Sequence, residues 1–226
     1  MHYALKALPD GTTIDLCYPG SYTFKVETIA EMLSKIKRFN GYGLDVAKHS
    51  LCVARTLYLY TGNPYIALAG LLHDAQEAFV GDVSTPVKAA VGADWGLMED
   101  RLQYALMQQL CPHSEYARSA YKLVKLADTY FLKLEVEALF FTGDYKRNEA
   151  WDFLNNITVP TGAYDVIDTL SGTAEAFVKE FNMYKYLIDN IDETLMKQVS
   201  FKLPSGEDCI CYVDESSASY PINEFI

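Results

Sequence analysis

Apolar positions recur at helical spacing through most of the chain and alternate only near its two ends. From Val26 to Lys37, the residues Ile29, Leu33 and Ile36 form one inward row, the i, i+4, i+7 signature of a helix. Asn40-Gly41-Tyr42-Gly43 breaks it. Asp45 is then placed to cap a helix reaching about Tyr60, with Val46, His49, Val53 and Leu57 on one stripe. After Thr61-Gly62-Asn63-Pro64, a third helix is expected to run from Pro64 to about Val80-Gly81. On it Ile66, Ala69/Gly70, His73 and Glu77 share a face that starts apolar and ends in an imidazole and a carboxylate. The stretch from Asp82 to Lys88 reads as irregular, because Pro86 disfavours helix at Thr85. Long helical patterns follow over Glu99–Leu110 and Glu115–Phe141, the second ended by Thr142-Gly143-Asp144. Residues 155–171 are expected to be loop, and a last helix covers Thr173 to about Ile191.

The two ends read as β. Leu8-Pro9-Asp10-Gly11 is a turn between Tyr3–Ala7 and Thr12–Tyr18, and Pro204-Ser205-Gly206 is a turn between Val199–Leu203 and Cys209–Val213. A short hairpin alone is marginal, so the two are expected to join in one accessory sheet or to pack on the helices. The expected fold is therefore mainly α. A hairpin element over residues 1–22 precedes a helical core over 23–155, and 156–226 forms a helix-and-hairpin extension packed on it.

Composition narrows the class of protein. The 226 residues are 50% hydrophobic and 22% charged, enough for one sizeable core. No apolar run approaches the roughly 18 residues of a membrane span, and no secretory signal is read at the start, so a cytoplasmic protein with no membrane partner is expected. Five scattered cysteines with no CxxC suggest reduced thiols, and Cys209/Cys211 share a strand face where packing explains them. A net charge of −11 argues against a nucleic acid duplex as partner, though a few local cations could still hold a small phosphate ligand.

Three places carry candidate chemistry. His49 lies on an inward stripe, His73-Asp74 ends the next helix, and Asp128 sits mid-helix with Val124 and Leu132 one turn away on either side. Aspartate is a poor mid-helix residue and is rarely buried without a partner. Singly, each has an ordinary structural explanation. Together they offer two imidazoles and two carboxylates, a ligand set suited to one divalent transition metal with positions left open.

The order His49…His73-Asp74…Asp128 resembles the H…HD…D signature of the HD-domain metal phosphohydrolases. The wider context is similar to their YfbR-like branch, which contains 5′-deoxynucleotidases and phage-type deoxynucleotide phosphohydrolases. That context comprises Lys37-Arg38-Phe39-Asn40-Gly41, Val46-Ala47-Lys48-His49-Ser50, and the run Leu71 to Lys88 with Glu77, Asp82 and Thr85-Pro86. Glu99-Asp100-Arg101-Leu102 and Lys125-Leu126-Ala127-Asp128 complete it. The resemblance spans Thr23 to Thr142 and implies an HD-domain helical bundle. It makes His49, His73, Asp74 and Asp128 the ligands of one divalent metal: Mn, Co, Zn, Fe or Ni, with Mg also admissible. It gives Glu77 and Asp82 acid–base work beside the metal-bound water. Arg38, Lys88 and Lys125 become phosphate-binding cations, Phe39 a base-stacking ring and Pro86 a pocket wall. Two chemistries fit: a 5′-nucleotidase on deoxynucleoside monophosphates, or a triphosphohydrolase of the dATP type. The alternative is a catalytically silent nucleotide-binding or regulatory protein. The resemblance also implies a homo-oligomer and, for a phage-encoded chain, the host cytoplasm. Phe39 stands where the family often has tryptophan, the segment from Arg38 to His49 is short for the family, and Asp45 replaces a small polar residue.

Overall fold

A computed structural model describes residues 4–111, 113–117, 120–140 and 149–226. It is mainly helical with two antiparallel hairpins. Strands β1 (Leu5–Ala7) and β2 (Thr13–Asp15) pair in the register Lys6 with Ile14. Helices α1 (Val26–Leu33), α2 (Val46–Thr61), α3 (Pro64–Leu71), α4 (Glu77–Val80), α5 (Thr85–Val91), α6 (Ala93–Leu110), α7 (Ala120–Phe140), α8 (Thr161–Thr169) and α9 (Ala174–Asp189) follow. Strands β3 (Lys197–Lys202) and β4 (Asp208–Val213) close the order, with Val199 opposite Cys211.

The antiparallel pair α2–α3 is the spine, with an apolar cluster on either side. One cluster gathers the first hairpin, α1, α4, α6 and α9; the other gathers α7, α8, the second hairpin and the C-terminal segment. Gly62 ends α2 in the left-handed region (φ 60°), and its N–H bonds the Tyr58 carbonyl at 2.8 Å. Asn63, fully buried, accepts from the N–H groups of Tyr65 and Ile66 at 3.0 and 3.3 Å. Its amide donates to the carbonyls of Tyr116 and Tyr212 at 2.9 and 2.8 Å, tying the spine to both flanks. At Gly70 the two helices touch: a Cβ there would lie 2.6 Å from Leu57 Cδ1 and 3.3 Å from Ala54 Cα. That close approach brings His49 beside His73, with ring centroids 5.3 Å apart.

Several expectations need correction. The helix beginning at Pro64 stops at Leu71, and Leu72–Gln76 runs in tight turns before α4. His73 Nδ1 sits 2.7 Å from the Gly70 carbonyl, taking over the acceptor that a continuing helix would give to the Asp74 N–H. The His-Asp pair therefore lies on a turn rather than on a helical stripe. Residues 85–91 are helical, because Pro86 stands in the first turn, where a missing N–H costs nothing. α6 begins six residues earlier than Glu99, at Ala93, α1 ends at Leu33, and α7 starts at Ala120 behind a short turn at Glu115–Ala117. Within the expected loop, residues 161–169 form α8, which packs Ala163 and Val166 on α2 and whose Gly162 N–H donates to the Tyr60 hydroxyl at 3.0 Å. The hairpins do not share a sheet. The first sits on α4 through Ile14 and a 2.7 Å bond from Lys6 Nζ to the Phe79 carbonyl. The second sits near α7, with Cys209 and Cys211 buried on one face. Tyr3, Phe141 and the Thr142–Asp144 break lie outside the described residues. Among the described residues, no helix is long and apolar enough to cross a membrane.

Candidate metal centre

His49 is carried in the second turn of α2, whose start is fixed by the Asp45 carboxylate accepting the Lys48 N–H at 2.7 Å. The ring is fully buried. Its Nε2 faces Asp128 Oδ1 at 3.2 Å and Asp74 Oδ2 at 3.9 Å, and its Nδ1 faces Glu135 Oε2 at 3.5 Å. His73 Nε2 lies 3.1 Å from Asp74 Oδ2. The candidate ligand atoms of His49, His73 and Asp74 all lie within 4.8 Å of one another, and Asp128 joins them from α7 through its contact with His49.

The donor set fits a metal. The Gly70 carbonyl can only accept, so His73 Nδ1 carries the proton and the Nε2 lone pair is free. Among the described residues, both Nε2 atoms, and His49 Nδ1 with them, are buried without a hydrogen-bond partner, a costly state unless an ion completes it. Ligand bonds of about 2.0–2.2 Å set ligand atoms roughly 3–4 Å apart, close to the spacings seen here. Asp74 and Asp128 are held as carboxylates. Burial alone would raise the Asp74 carboxyl, but the His73 and His49 rings packed against it hold it well below the usual range. The same contest at Asp128 is won by His49, His73 and Lys125.

Glu77 opens α4 with its side chain almost wholly buried and Oε2 without a hydrogen-bond partner among the described residues. Burial, reinforced by the charges of Asp74 and Asp82, pushes its carboxyl up to about 10. Burial also raises Asp82, which accepts the Phe39 backbone N–H. That bond belongs to a strained segment: Phe39 and Asn40 both take positive φ, 52° and 54°, an unusual backbone for a phenylalanine. The segment is pinned by bonds of 2.9 Å from the Arg38 N–H to Leu44 O and from the Gly43 N–H to Arg38 O.

The expected phosphate-binding cations differ in what holds them. Arg38 is buried, with Nε 3.0 Å from Glu135 Oε2 and Nη1 3.5 Å from Asp74 Oδ2. Lys125 reaches Asp128 Oδ2 at 2.9 Å from an exposed position. Lys88 is paired with Glu99 at 2.9 Å. The Phe39 ring is flanked by Phe140 and Trp151, at centroid distances of 5.7 and 6.2 Å, with its neighbour's guanidinium carbon 5.7 Å from the ring centroid. Pro86 is exposed on α5 and is not among the walls of the adjoining cavity.

That cavity, of about 610 Å³, opens on His73, Asp74 and Asp128. Its walls are Ala69, Met107 and Val124, with Gln103, His113, Tyr121 and Lys125 as polar groups. A larger and more open groove of about 1070 Å³ between α1 and α9 holds none of the cluster. Sequence reasoning missed Glu135 and Gln103, and it placed Glu99 in the motif context without giving it a role. For Glu135 a signal existed: it follows Asp128 by seven residues, two helical turns, and so shares its face.

Over 148 residues the chain is 34% identical to an uncharacterized protein of Rhodobacter capsulatus, a match covering 62% of this chain and 74% of that protein. The chain belongs to the same family as that protein. No family model matches the chain.

Proposed function

We propose that the chain is an HD-domain phosphohydrolase that uses one divalent transition metal to hydrolyse (deoxy)nucleotides. One observation carries the reading. The Nε2 atoms of His49 and His73, without hydrogen-bond partners among the described residues, converge with the Asp74 and Asp128 carboxylates at the end of a cavity large enough for a nucleoside. The extended resemblance around Arg38, Glu77, Asp82 and Lys88 supports the same assignment.

His49, His73, Asp74 and Asp128 would hold the ion, which supplies a water acidified toward neutral pH and a charge that polarises a phosphoryl oxygen. Glu77 stands at the same cluster with a carboxyl that burial keeps ready to hold a proton on Oε2. It suits the transfer of a proton to or from the reacting oxygens. Lys125 Nζ brings positive charge to the cavity rim, where a phosphate would enter. The buried Arg38 guanidinium, held at Nε and Nη1, keeps further N–H groups for an anion beside Asp74. The apolar walls exclude water around the nucleoside half.

Two products are possible from one site: orthophosphate from a monophosphate, or triphosphate and a nucleoside from a triphosphate. Protein stripped and reloaded with Mn²⁺, Co²⁺, Zn²⁺ or Mg²⁺ is offered dAMP, dATP and their counterparts, with products separated by chromatography. Orthophosphate from monophosphates identifies a 5′-nucleotidase, and intact triphosphate identifies a triphosphohydrolase. Nucleotide binding without turnover under every metal would replace the enzyme with a silent binding protein.

A further inference from the structure

We propose that Glu135 is the positioning residue of this centre, one buried carboxylate that orients both His49 toward the metal and Arg38 toward the substrate anion. The inference rests on the metal-site reading above. Its geometry is a closed ring. Glu135 Oε2 lies 3.0 Å from Arg38 Nε and 3.5 Å from His49 Nδ1. Arg38 Nη1 lies 3.5 Å from Asp74 Oδ2, and Asp74 Oδ2 lies 3.9 Å from His49 Nε2. His49 has only two ring nitrogens. With Nε2 directed at Asp74 and Asp128, Nδ1 is left facing Glu135 Oε2 at 3.5 Å, an approach that becomes a hydrogen bond with a small shift of the ring and would then favour the proton on Nδ1 and free the Nε2 lone pair for the ion. His73 achieves the same orientation through the Gly70 carbonyl.

A merely structural pairing with Arg38 leaves features of Glu135 unexplained. It is 3% exposed on a face of α7 shared with the fully buried Phe131, and its second oxygen, Oε1, is buried with no hydrogen-bond partner among the described residues. A carboxylate is expensive in such surroundings, and an apolar residue would pack there at less cost. The Glu135 carboxylate is nevertheless matched by a buried cation, with Arg38 Nε 3.0 Å from its Oε2. The buried charge does what a leucine could not, fixing a ring tautomer and the aim of a guanidinium with a single oxygen. Arg38 is thereby tethered to the histidine that binds the metal, so metal affinity and anion affinity should weaken together when Glu135 changes.

The test is Co²⁺ and Mn²⁺ titration of the full chain and its Glu135→Gln variant by calorimetry and visible absorption, with cooperative unfolding checked first. The variant keeps shape and removes the charge. The expected result is metal affinity lowered roughly 10–100-fold, an altered Co²⁺ spectrum, and a raised KM for substrate at saturating metal. Should that variant not fold, Glu135→Asp keeps the charge but retracts it by one methylene, so it cannot serve both partners, and the same loss is expected. In the Zn²⁺-loaded wild-type chain, nitrogen-edited NMR should find the His49 proton on Nδ1. Unchanged metal affinity in a folded variant, or His49 protonated on Nε2 in the loaded protein, overturns the proposal while leaving the hydrolase reading intact. A wild-type chain that binds no divalent ion overturns both.

Discussion

Replacing Asp128 by alanine separates a metal ligand from an ordinary surface acid. In the metal-free protein Asp128 contacts His49 Nε2 at 3.2 Å and Lys125 Nζ at 2.9 Å, and the lysine side chain is 67% exposed. The Lys125 pair, with its cation in solvent, contributes about 0–1 kcal/mol, and loss of the His49 contact is offset by relief of repulsion with Asp74. The metal-free melting temperature should therefore move by no more than about 4 °C, given roughly 2–4 °C per kcal/mol for a chain of this size. Metal changes the comparison. At a free ion concentration 100 times Kd, binding stabilises the wild-type fold by about 2.7 kcal/mol, or roughly 5–11 °C. Loss of one of four ligands should weaken binding at least as much as loss of an outer partner, about 100-fold. At the same ion concentration the variant then gains only about 0.4 kcal/mol, roughly 1 °C. Paired melting curves in chelator and in Mn²⁺ or Co²⁺ read this difference directly. A variant that keeps the full metal-induced rise refutes the assignment of Asp128.

Three further outcomes are expected. Glu77→Ala should retain metal, seen as an undiminished thermal shift, yet slow hydrolysis by roughly 10²–10⁴; an unchanged rate removes Glu77 from the chemistry. Because burial and the Asp74 and Asp82 charges push the folded Glu77 carboxyl up to about 10, against about 4.3 unfolded, the folded state binds the extra proton between these values. Metal-free stability should then fall as pH rises through that window. Glu77→Gln should melt higher than wild type in chelator by a margin that widens from pH 5 to pH 8. Equal slopes for the two proteins would contradict the burial argument; the raised His49 and Asp82 titrate in both proteins alike, and the depressed Asp74, Asp128 and Glu135 act only below about pH 4. Asn63→Ala removes an N-cap and strands two carbonyls, Tyr116 O and Tyr212 O, so urea unfolding should show a loss of about 2–4 kcal/mol; a loss under 1 kcal/mol would mean the spine is tied elsewhere.

Helix periodicity and capping chemistry were legible where they act locally. Asp45 and Thr173 cap α2 and α9, and Pro64 opens α3 behind Asn63, as their positions in the sequence imply. The turn at Leu72–Gln76 was not legible, because it depends on the His73 ring seeking the Gly70 carbonyl, a choice of side chain over backbone that periodicity does not register. Pro86 misled in the other direction: the rule for the residue before proline yields when proline falls in a first turn. α8 was hidden because its stability comes from Ala163 and Val166 packing on distant α2, not from its own glycine-containing sequence. The sequence named His49, His73, Asp74 and Asp128 as one group, and they meet in space although three elements carry them. Glu135 was overlooked because an acid two turns beyond another acid reads as a solvated helix face until the packing of α7 on α2 buries it.

The most direct test is turnover measured against added metal. Metal-stripped chain is titrated with Mn²⁺ or Co²⁺ while nucleotide hydrolysis and bound metal are followed in the same samples. The account predicts activity that rises in step with bound ion and levels at one equivalent per chain. Bound metal without hydrolysis of any mono- or triphosphate, or hydrolysis undiminished in chelator, would contradict it.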